Sequence, residues 1–504
     1  MKAILILLDS VNRKYLKAYG NEWVHTPNID RLQERSVTFD NHWVGSAPCM
    51  PARRDMLTGR LNFLERNWGP IEPFDYTVTE ALRSNNIYSH IITDHFHYLK
   101  PGGENYCQSF DTWEFFRGQE VDPWVTRLSE IKMHEGYGQI KQQYEYNRTR
   151  FISEQEYPTP LTLKSAADWL EDNRDADDYM LWVEAFDPHE PFDVPEEYLK
   201  LYNDEYTGPQ YEWPHYQPVD VPEDALEHLK KRYAALLTMT DKWLGKLLDK
   251  MDQYNLWEDT MVIFTSDHGF MLGEHGFMAK NYMPAYNEVF HIPLMVHLPG
   301  GEYAGNRLKA LTQNIDIFPT LLEYYGIEKS ICKNPIHGKS LLPLIRGERE
   351  KIRNYAIYGY FAKNVNITDG KYTYFRTASN SDNTPIYVYG AMPTTIGQYY
   401  GPDSLKDLSR IEMGRYLKWT DYPLYKIPGD IINQKDKSQA FDINSPLISS
   451  NHLFDIERDY LQQEEIKDEK LEKKYIKALV QTMKEHDSPD EQFERLGLLQ
   501  GAVN

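Results

Sequence analysis

Cysteine is scarce in this sequence: three in 504 residues, Cys49, Cys107 and Cys332, an odd number too small to close a disulfide framework. Basic residues are outnumbered, 55 Lys and Arg against 76 Asp and Glu, which leaves a formal net charge of -21. Nucleic acid and an anionic bilayer surface are thereby excluded as principal partners, because both would repel the chain within a Debye length. No apolar run approaches the roughly 20 residues that cross a bilayer, so no membrane span is expected. The short run at 3–8 ends at Asp9 with no small-residue cleavage site behind it, and reads as a buried strand, not a secretion leader. A reducing, cytoplasmic location is the expectation. Internal repeats and low-complexity tracts are also missing.

What is present suits a large packed interior. Apolar runs bounded by turn residues recur at 3–8, 87–93, 179–186, 261–265 and 292–298, the pattern of strands buried on both faces. Between them lie helical patterns at 27–35, 77–85, 164–174, 223–253 and 316–325. This alternation predicts an α/β fold, a large, mainly parallel sheet flanked by helices. Beyond about 347 the texture changes to Tyr-rich alternating segments at 355–362 and 371–376, which predict antiparallel strands in a smaller C-terminal α+β domain. The expected division is 1–347 and 348–504. Residues 378–440 have weak periodicity and read as a long loop region, and 464–486 as a charged amphipathic helix.

In open α/β sheets ligands bind beyond the carboxyl ends of the strands, so polar residues that follow the apolar runs are the candidates. Four places qualify: Asp9-Ser10, Asp94-His95-Phe96-His97, Asp187-Pro188-His189 and Ser266-Asp267-His268-Gly269. Each alone is as well explained by a cap or a turn. Together, Asp9, Asp267 and His268 supply two carboxylates and an imidazole, a donor set for a divalent cation such as calcium, magnesium or manganese. Pro51 near a helix start and Gly59 at its end place Cys49 at a helix N-terminus, where backbone N–H groups favour an anion.

Cys49-x-Pro51-x-Arg53, followed by Leu57-Thr58-Gly59-Arg60, resembles the maturation motif of the type I sulfatases of the alkaline-phosphatase-like superfamily. The segments Thr26-Pro27-Asn28-Ile29-Asp30-Arg31-Leu32, Ser266-Asp267-His268-Gly269 through Gly276 to Lys280, and His337-Gly338-Lys339-Ser340 are similar to that family's and stand in its order. The resemblance implies that Cys49 is oxidised to formylglycine by a maturation enzyme acting on the unfolded motif. The hydrated aldehyde, a gem-diol, is then the nucleophile toward a sulfate ester, and its second hydroxyl expels sulfate. It also implies Asp9, Asp267, His268 and residue 49 as metal ligands, with calcium first and manganese or magnesium next. Arg53 is implied to hold the gem-diol and the carboxylates, Lys280 and His189 to bind sulfate or assist the leaving group, and His97 to match the family's Gly-Lys-Trp-His histidine. His95 stands where that segment has lysine, which predicts a sulfate-pocket group that titrates near neutral pH. Ser10 replaces the second of two aspartates found in many sulfatases.

A carbohydrate or small aryl sulfate is the expected substrate, with Trp113, Phe115, Trp124 and Tyr399 as stacking candidates. Two competing readings are a phosphonate monoester or phosphodiester hydrolase with the same nucleophile, and a non-catalytic metal-binding protein in which Cys49 stays a thiol.

Overall fold

The computed structural model describes residues 1–129, 133, 135–433 and 442–499. Eight strands form the principal sheet: β1 (Lys2–Leu8), β2 (Val37–Phe39), β3 (Tyr88–Thr93), β4 (Thr112–Phe115), β5 (Tyr179–Ala185), β6 (Thr260–Ser266), β7 (Leu294–His297) and β8 (Arg307–Leu308). Their order is β8-β2-β7-β6-β1-β5-β3-β4. Only β7 runs against the rest, pairing antiparallel with β6 and β2. The sheet is mixed but mainly parallel, as the apolar runs predict.

The helices that cover the two sheets include α1 (Pro27–Glu34), α2 (Cys49–Thr58), α3 (Val78–Arg83), α4 (Pro158–Asp172), α5 (Glu223–Gln253), α6 (Ile317–Tyr324) and α7 (Glu469–Glu485). Alternation along β1 feeds two cores. Ile4, Ile6 and Leu8 join the α4 and α5 side chains Leu163, Leu170, Leu237 and Leu244, while Ala3, Leu5 and Leu7 join Met56 of α2, Leu82 of α3 and Leu321 of α6. Both faces of the sheet are therefore covered, which is why its strands read as unbroken apolar runs and not as alternating ones. Helix α4 begins six residues before the expected 164, because Pro158 and Pro160 sit in its first turn, where a missing N–H costs nothing.

Beyond β8 lie β9 (Ala356–Tyr360), β10 (Val365–Thr368), β11 (Tyr372–Arg376), β12 (Tyr387–Gly390), β13 (Glu412–Gly414), β14 (Leu424–Pro428) and β15 (His452–Asp455). A second sheet runs β15-β11-β10-β9, antiparallel throughout, and the two-residue strand Ser46–Ala47 adds to its edge parallel to β9. The chain thus passes through the second sheet immediately before Cys49. Tyr475, Leu479 and Met483 of α7 cover this sheet at Ile357, Ile367 and Tyr374, as the amphipathic pattern predicts.

The expected loop at 378–440 is a correction. It holds a three-stranded antiparallel sheet, β12-β14-β13, whose strands of three to five residues are too short to impose a visible period. The last part of that segment, 434–440, lies outside the described residues. Among the described residues no helix is long and apolar enough to cross a membrane.

Candidate functional site

The carboxyl ends of β1, β5 and β6 and the N-terminus of α2 converge on one buried point. Asp9 follows β1, Asp267 and His268 follow β6, and Cys49 is the first residue of α2. Ligand atoms of these four residues all lie within 4.8 Å of one another, and each side chain is at least 98% buried. His268 donates Nδ1–H to the Gly269 carbonyl at 2.8 Å, so its Nε2 carries a lone pair, which lies 3.2 Å from Cys49 Sγ. Burial keeps that imidazole neutral despite Asp267 beside it. Two carboxylates and a neutral imidazole make a donor set that suits a hard divalent cation.

Gly269 makes this geometry possible. A Cβ there would lie 1.9 Å from the Glu288 carbonyl oxygen, while the Gly269 N–H bonds Val289 O at 2.8 Å. Gly269→Ala must displace backbone and drag His268 with it. The expected outcome is a loss of about 1–3 kcal/mol in a denaturant titration, the range for forced overpacking.

Arg53 sits one turn into α2, fully buried, and divides its guanidinium among three acids: Asp9 at 2.8 Å, Glu184 at 2.9 Å and Asp267 at 2.5 Å. Burial opposes its charge, but Glu184, Asp267 and Asp9 outweigh that and hold it protonated. Burial likewise works against ionisation of Asp9, yet Arg53 and then Lys280 keep its carboxyl below the ordinary range. Glu184 accepts from Arg53 Nε and from the Tyr98 hydroxyl at 2.8 Å, the bonding of a carboxylate. Neither Glu184 nor Tyr98 is among the sequence candidates. The signal for Glu184 was a single acid inside the apolar run at 179–186.

Lys280 Nζ donates to Ser10 Oγ at 2.8 Å, and Ser10 Oγ in turn donates to Asp9 Oδ1 at 2.7 Å. The serine in place of a second aspartate therefore relays Lys280 to Asp9. Burial disfavours the Lys280 charge, but Cys49, Glu190, Asp9 and Asp267 outweigh it. Three carboxylates against Arg53 and Lys280 leave one uncompensated negative charge in a closed volume, which an added dication would turn to a single positive one.

This centre opens into a cleft of about 460 Å³ lined by Cys49, His97, His189 and Lys280 together with Glu120 and Glu190. His189 gives its Nδ1–H to the Glu190 carbonyl at 2.7 Å. Burial, then Lys280, keeps the ring neutral. His97 approaches Glu120 with Nε2 at 3.6 Å. His95 is fully buried behind the cleft, against His97, Tyr98 and Phe186, and is not among the lining residues. Burial and then Arg53 push its pKa well below the ordinary histidine value, so the expected titration near neutral pH is corrected: the ring stays neutral because its proton would have to share a closed volume with Arg53.

Asp94 and Asp187 prove structural. Asp94 accepts from Phe186 N, Thr159 Oγ1 and Gln119 Nε2, each at 2.8 Å, and Gln119 also reaches Asp187. The stacking candidates are also corrected: Trp113, Phe115, Trp124 and Tyr399 do not line the cleft, and Trp68, Trp213 and Tyr216 do. These three arrive on loops remote in sequence, with no periodicity to single them out.

A protein-family model described as Sulfatase matches residues 2–327, and one described as N-sulphoglucosamine sulphohydrolase, C-terminal, matches 273–409. The chain is 27% identical over 407 residues to a choline-sulfatase of Rhizobium meliloti, covering 74% of this chain and 77% of the relative. Among solved structures, the phosphonate monoester hydrolase of Agrobacterium radiobacter superposes with a TM-score of 0.65 at 18% identity, over 96% of both chains. A protein solved in complex with its substrate D-glucosamine-2-N,6-O-disulfate superposes with a TM-score of 0.66 at 17% identity, over 97% of this chain and 98% of the other.

Proposed function

The chain belongs to the sulfatase family of sulfuric ester hydrolases, and from that premise we propose that it hydrolyses a sulfate monoester of a carbohydrate or other small alcohol, with residue 49, matured to formylglycine, as nucleophile. The observation that carries this reading is the placement of Cys49 at the start of α2, facing two carboxylates and His268, with Arg53 and Lys280 as fixed cations. As a thiol Cys49 is a poor nucleophile, since burial pushes its pKa well up and Asp9 and Asp267 add to that. The thiol-only reading accounts for a cation among Asp9, Asp267 and His268 but gives no role to Lys280 and His189, which line the adjoining cleft.

Asp9, Asp267, His268 and residue 49 would hold the divalent cation, calcium first and manganese or magnesium next. When bound, it supplies Lewis acidity and charge at the sulfate oxygens. The remaining work falls to the chain. The α2 N-terminus favours negative charge at position 49. Arg53 fixes the Oδ2 atoms of Asp9 and Asp267, which sets the direction of both carboxylates. Lys280 grips the sulfate, and Ser10 orients its ammonium. His189 presents Nε2 to the cleft, and a bound sulfate, by adding negative charge, favours its protonation and hence proton donation to the departing alcohol. His97 completes that wall.

A dication beside Arg53 and Lys280 would offset the carboxylates around it and suit the single negative charge of a sulfate monoester. Phosphonate monoesters and phosphodiesters are also monoanions, so they form the runner-up class. The test is to coexpress the chain with a formylglycine-generating enzyme and record two readouts. We expect the peptide spanning residues 47–53 to carry an aldehyde in place of CH2–SH. We also expect 4-nitrophenyl sulfate to be cleaved faster than the monoester 4-nitrophenyl phenylphosphonate, with loss on chelation and recovery on adding Ca2+, Mn2+ or Mg2+ in an order that assigns the metal. Faster phosphonate cleavage would transfer the assignment to the runner-up.

A further inference from the structure

The wall of the cleft that faces Lys280 carries chemistry that sulfate does not use. Glu120 and Glu190 flank His189, whose Nδ1 lies 3.5 Å from Glu120 Oε1 and 3.3 Å from Glu190 Oε2. Glu190 is fully buried; its Oε1 accepts from the Tyr216 hydroxyl, and its Oε2 has no hydrogen-bond partner among the described residues. Asn281, 4% exposed and next to Lys280, likewise leaves its Oδ1 unpartnered. Glu120 adopts φ 42°, a left-handed conformation that a non-glycine residue rarely takes and that is concentrated at functional sites. All three residues line the cleft, beside the aromatic rings of Trp68, Trp213 and Tyr216.

These are acceptors without donors. A buried acceptor lacking a partner is costly, and such groups are retained where a ligand satisfies them. Among the described residues no side-chain cation donates a hydrogen bond to these free oxygens: the charge of Lys280 acts on both glutamates but its Nζ–H goes to Ser10, and Lys100, whose charge acts on Glu120, lies over the Phe96 ring, 4.0 Å from its centroid. The ligating atoms of Glu120, His189 and Glu190 lie within 4.8 Å of one another, a spacing that a metal ion would also fit. His189 Nδ1, however, spends its proton on the Glu190 carbonyl, so on that side it has no lone pair for a metal. What fits is a ligand that brings N–H donors and positive charge to carboxylates and aromatic faces.

We propose that Glu120, Glu190 and Asn281 form a subsite for a protonated amine on the alcohol portion of the sulfate ester. The substrate is then a zwitterion, an amino sugar or amino alcohol bearing one sulfate, held by Lys280 at its anionic end and by the two glutamates at its cationic end. Burial, followed by repulsion from Glu190, lifts Glu120 to about 8, and burial lifts Glu190 above its ordinary value although Lys280 opposes it; a bound ammonium offsets that penalty. A carboxylate or second sulfate next to the amine would meet like charge and be rejected.

This inference rests on the sulfatase reading, and the experiment separates the two. Cys49→Ala protein is titrated calorimetrically with three sulfate esters: glucosamine 6-sulfate, a primary ammonium; choline sulfate, a quaternary one; and glucose 6-sulfate, neutral. Glucosamine 6-sulfate is expected to bind about tenfold or more tighter than glucose 6-sulfate. Choline sulfate, with charge but no N–H, is expected between them. The gap should close in Glu120→Gln/Glu190→Gln, although the comparison across ligands stands on the parent protein alone. Equal affinity for the amine and the neutral ester, or choline sulfate binding tightest, overturns the subsite while leaving the sulfatase reading intact. Binding of none of the three overturns the subsite, while the sulfatase reading stands or falls separately on cleavage of 4-nitrophenyl sulfate by the matured parent.

Discussion

Cys49→Ala protein is expected to unfold in the same cooperative transition as its parent while sulfate release falls by at least about 10^4-fold, the scale on which removal of a covalent nucleophile acts. The side chain is 2% exposed and makes one polar contact, to His268 Nε2 at 3.2 Å, so its truncation removes little that holds the fold. The proposed sulfate pocket survives, because Lys280, Ser10 and Asp9 are linked to one another and not through position 49. The assay is release of inorganic sulfate from 4-nitrophenyl sulfate by matured protein, with far-UV circular dichroism in denaturant as the fold control. Turnover within tenfold of the parent would refute position 49 as the nucleophile.

Arg53→Ala should instead be felt by the whole molecule. Three carboxylates, Asp9, Glu184 and Asp267, converge on one fully buried guanidinium, and deleting it leaves them facing each other with only Lys280 near, 3.9 Å from Asp9. Breaking a buried ion pair by removing one partner costs about 3–5 kcal/mol, so the denaturation midpoint should fall by that equivalent and turnover should be lost with it. Arg53→Lys keeps the charge but cannot aim separate N–H groups at three acids, and should recover only part of the stability. Glu184→Gln in the Arg53→Ala background should recover some as well, by removing one of the repelling charges. If Arg53→Ala melts like its parent, the network is not what orients the metal-site carboxylates.

The parts of this site that were legible in the sequence share a physical cause. Asp9 and Asp267 follow strands buried on both faces, so each shows as the first charged residue after an apolar run. The start of α2 was legible because Pro51 and Gly59 mark its ends, and Cys49, Pro51 and Arg53 follow a recognisable spacing. Glu184 was hidden by the opposite circumstance: it lies within β5, and its identity as an Arg53 partner exists only once β1 and β5 are side by side, with Leu7 opposite Glu184. Glu120, Trp68 and Trp213 were invisible for a third reason. They reach the cleft on irregular segments, whose course is set by tertiary contacts and not by local period. His95 shows where a resemblance misleads. Position in a motif fixed its place beside His97, but only the structure reveals a ring without solvent, for which protonation is prohibitive.

The short strand Ser46–Ala47 has a bearing on how this chain can be cut. It is held by Gly359 and Tyr360, more than 300 residues downstream, and hands the chain to Cys49 two residues later. A truncation ending before β9 would strip that anchoring edge and let the lead-in to the nucleophile drift. The carboxyl-terminal third is thus a splint for residue 49, not a detachable appendage, and engineering that shortens or swaps it must carry residues 356–360 along.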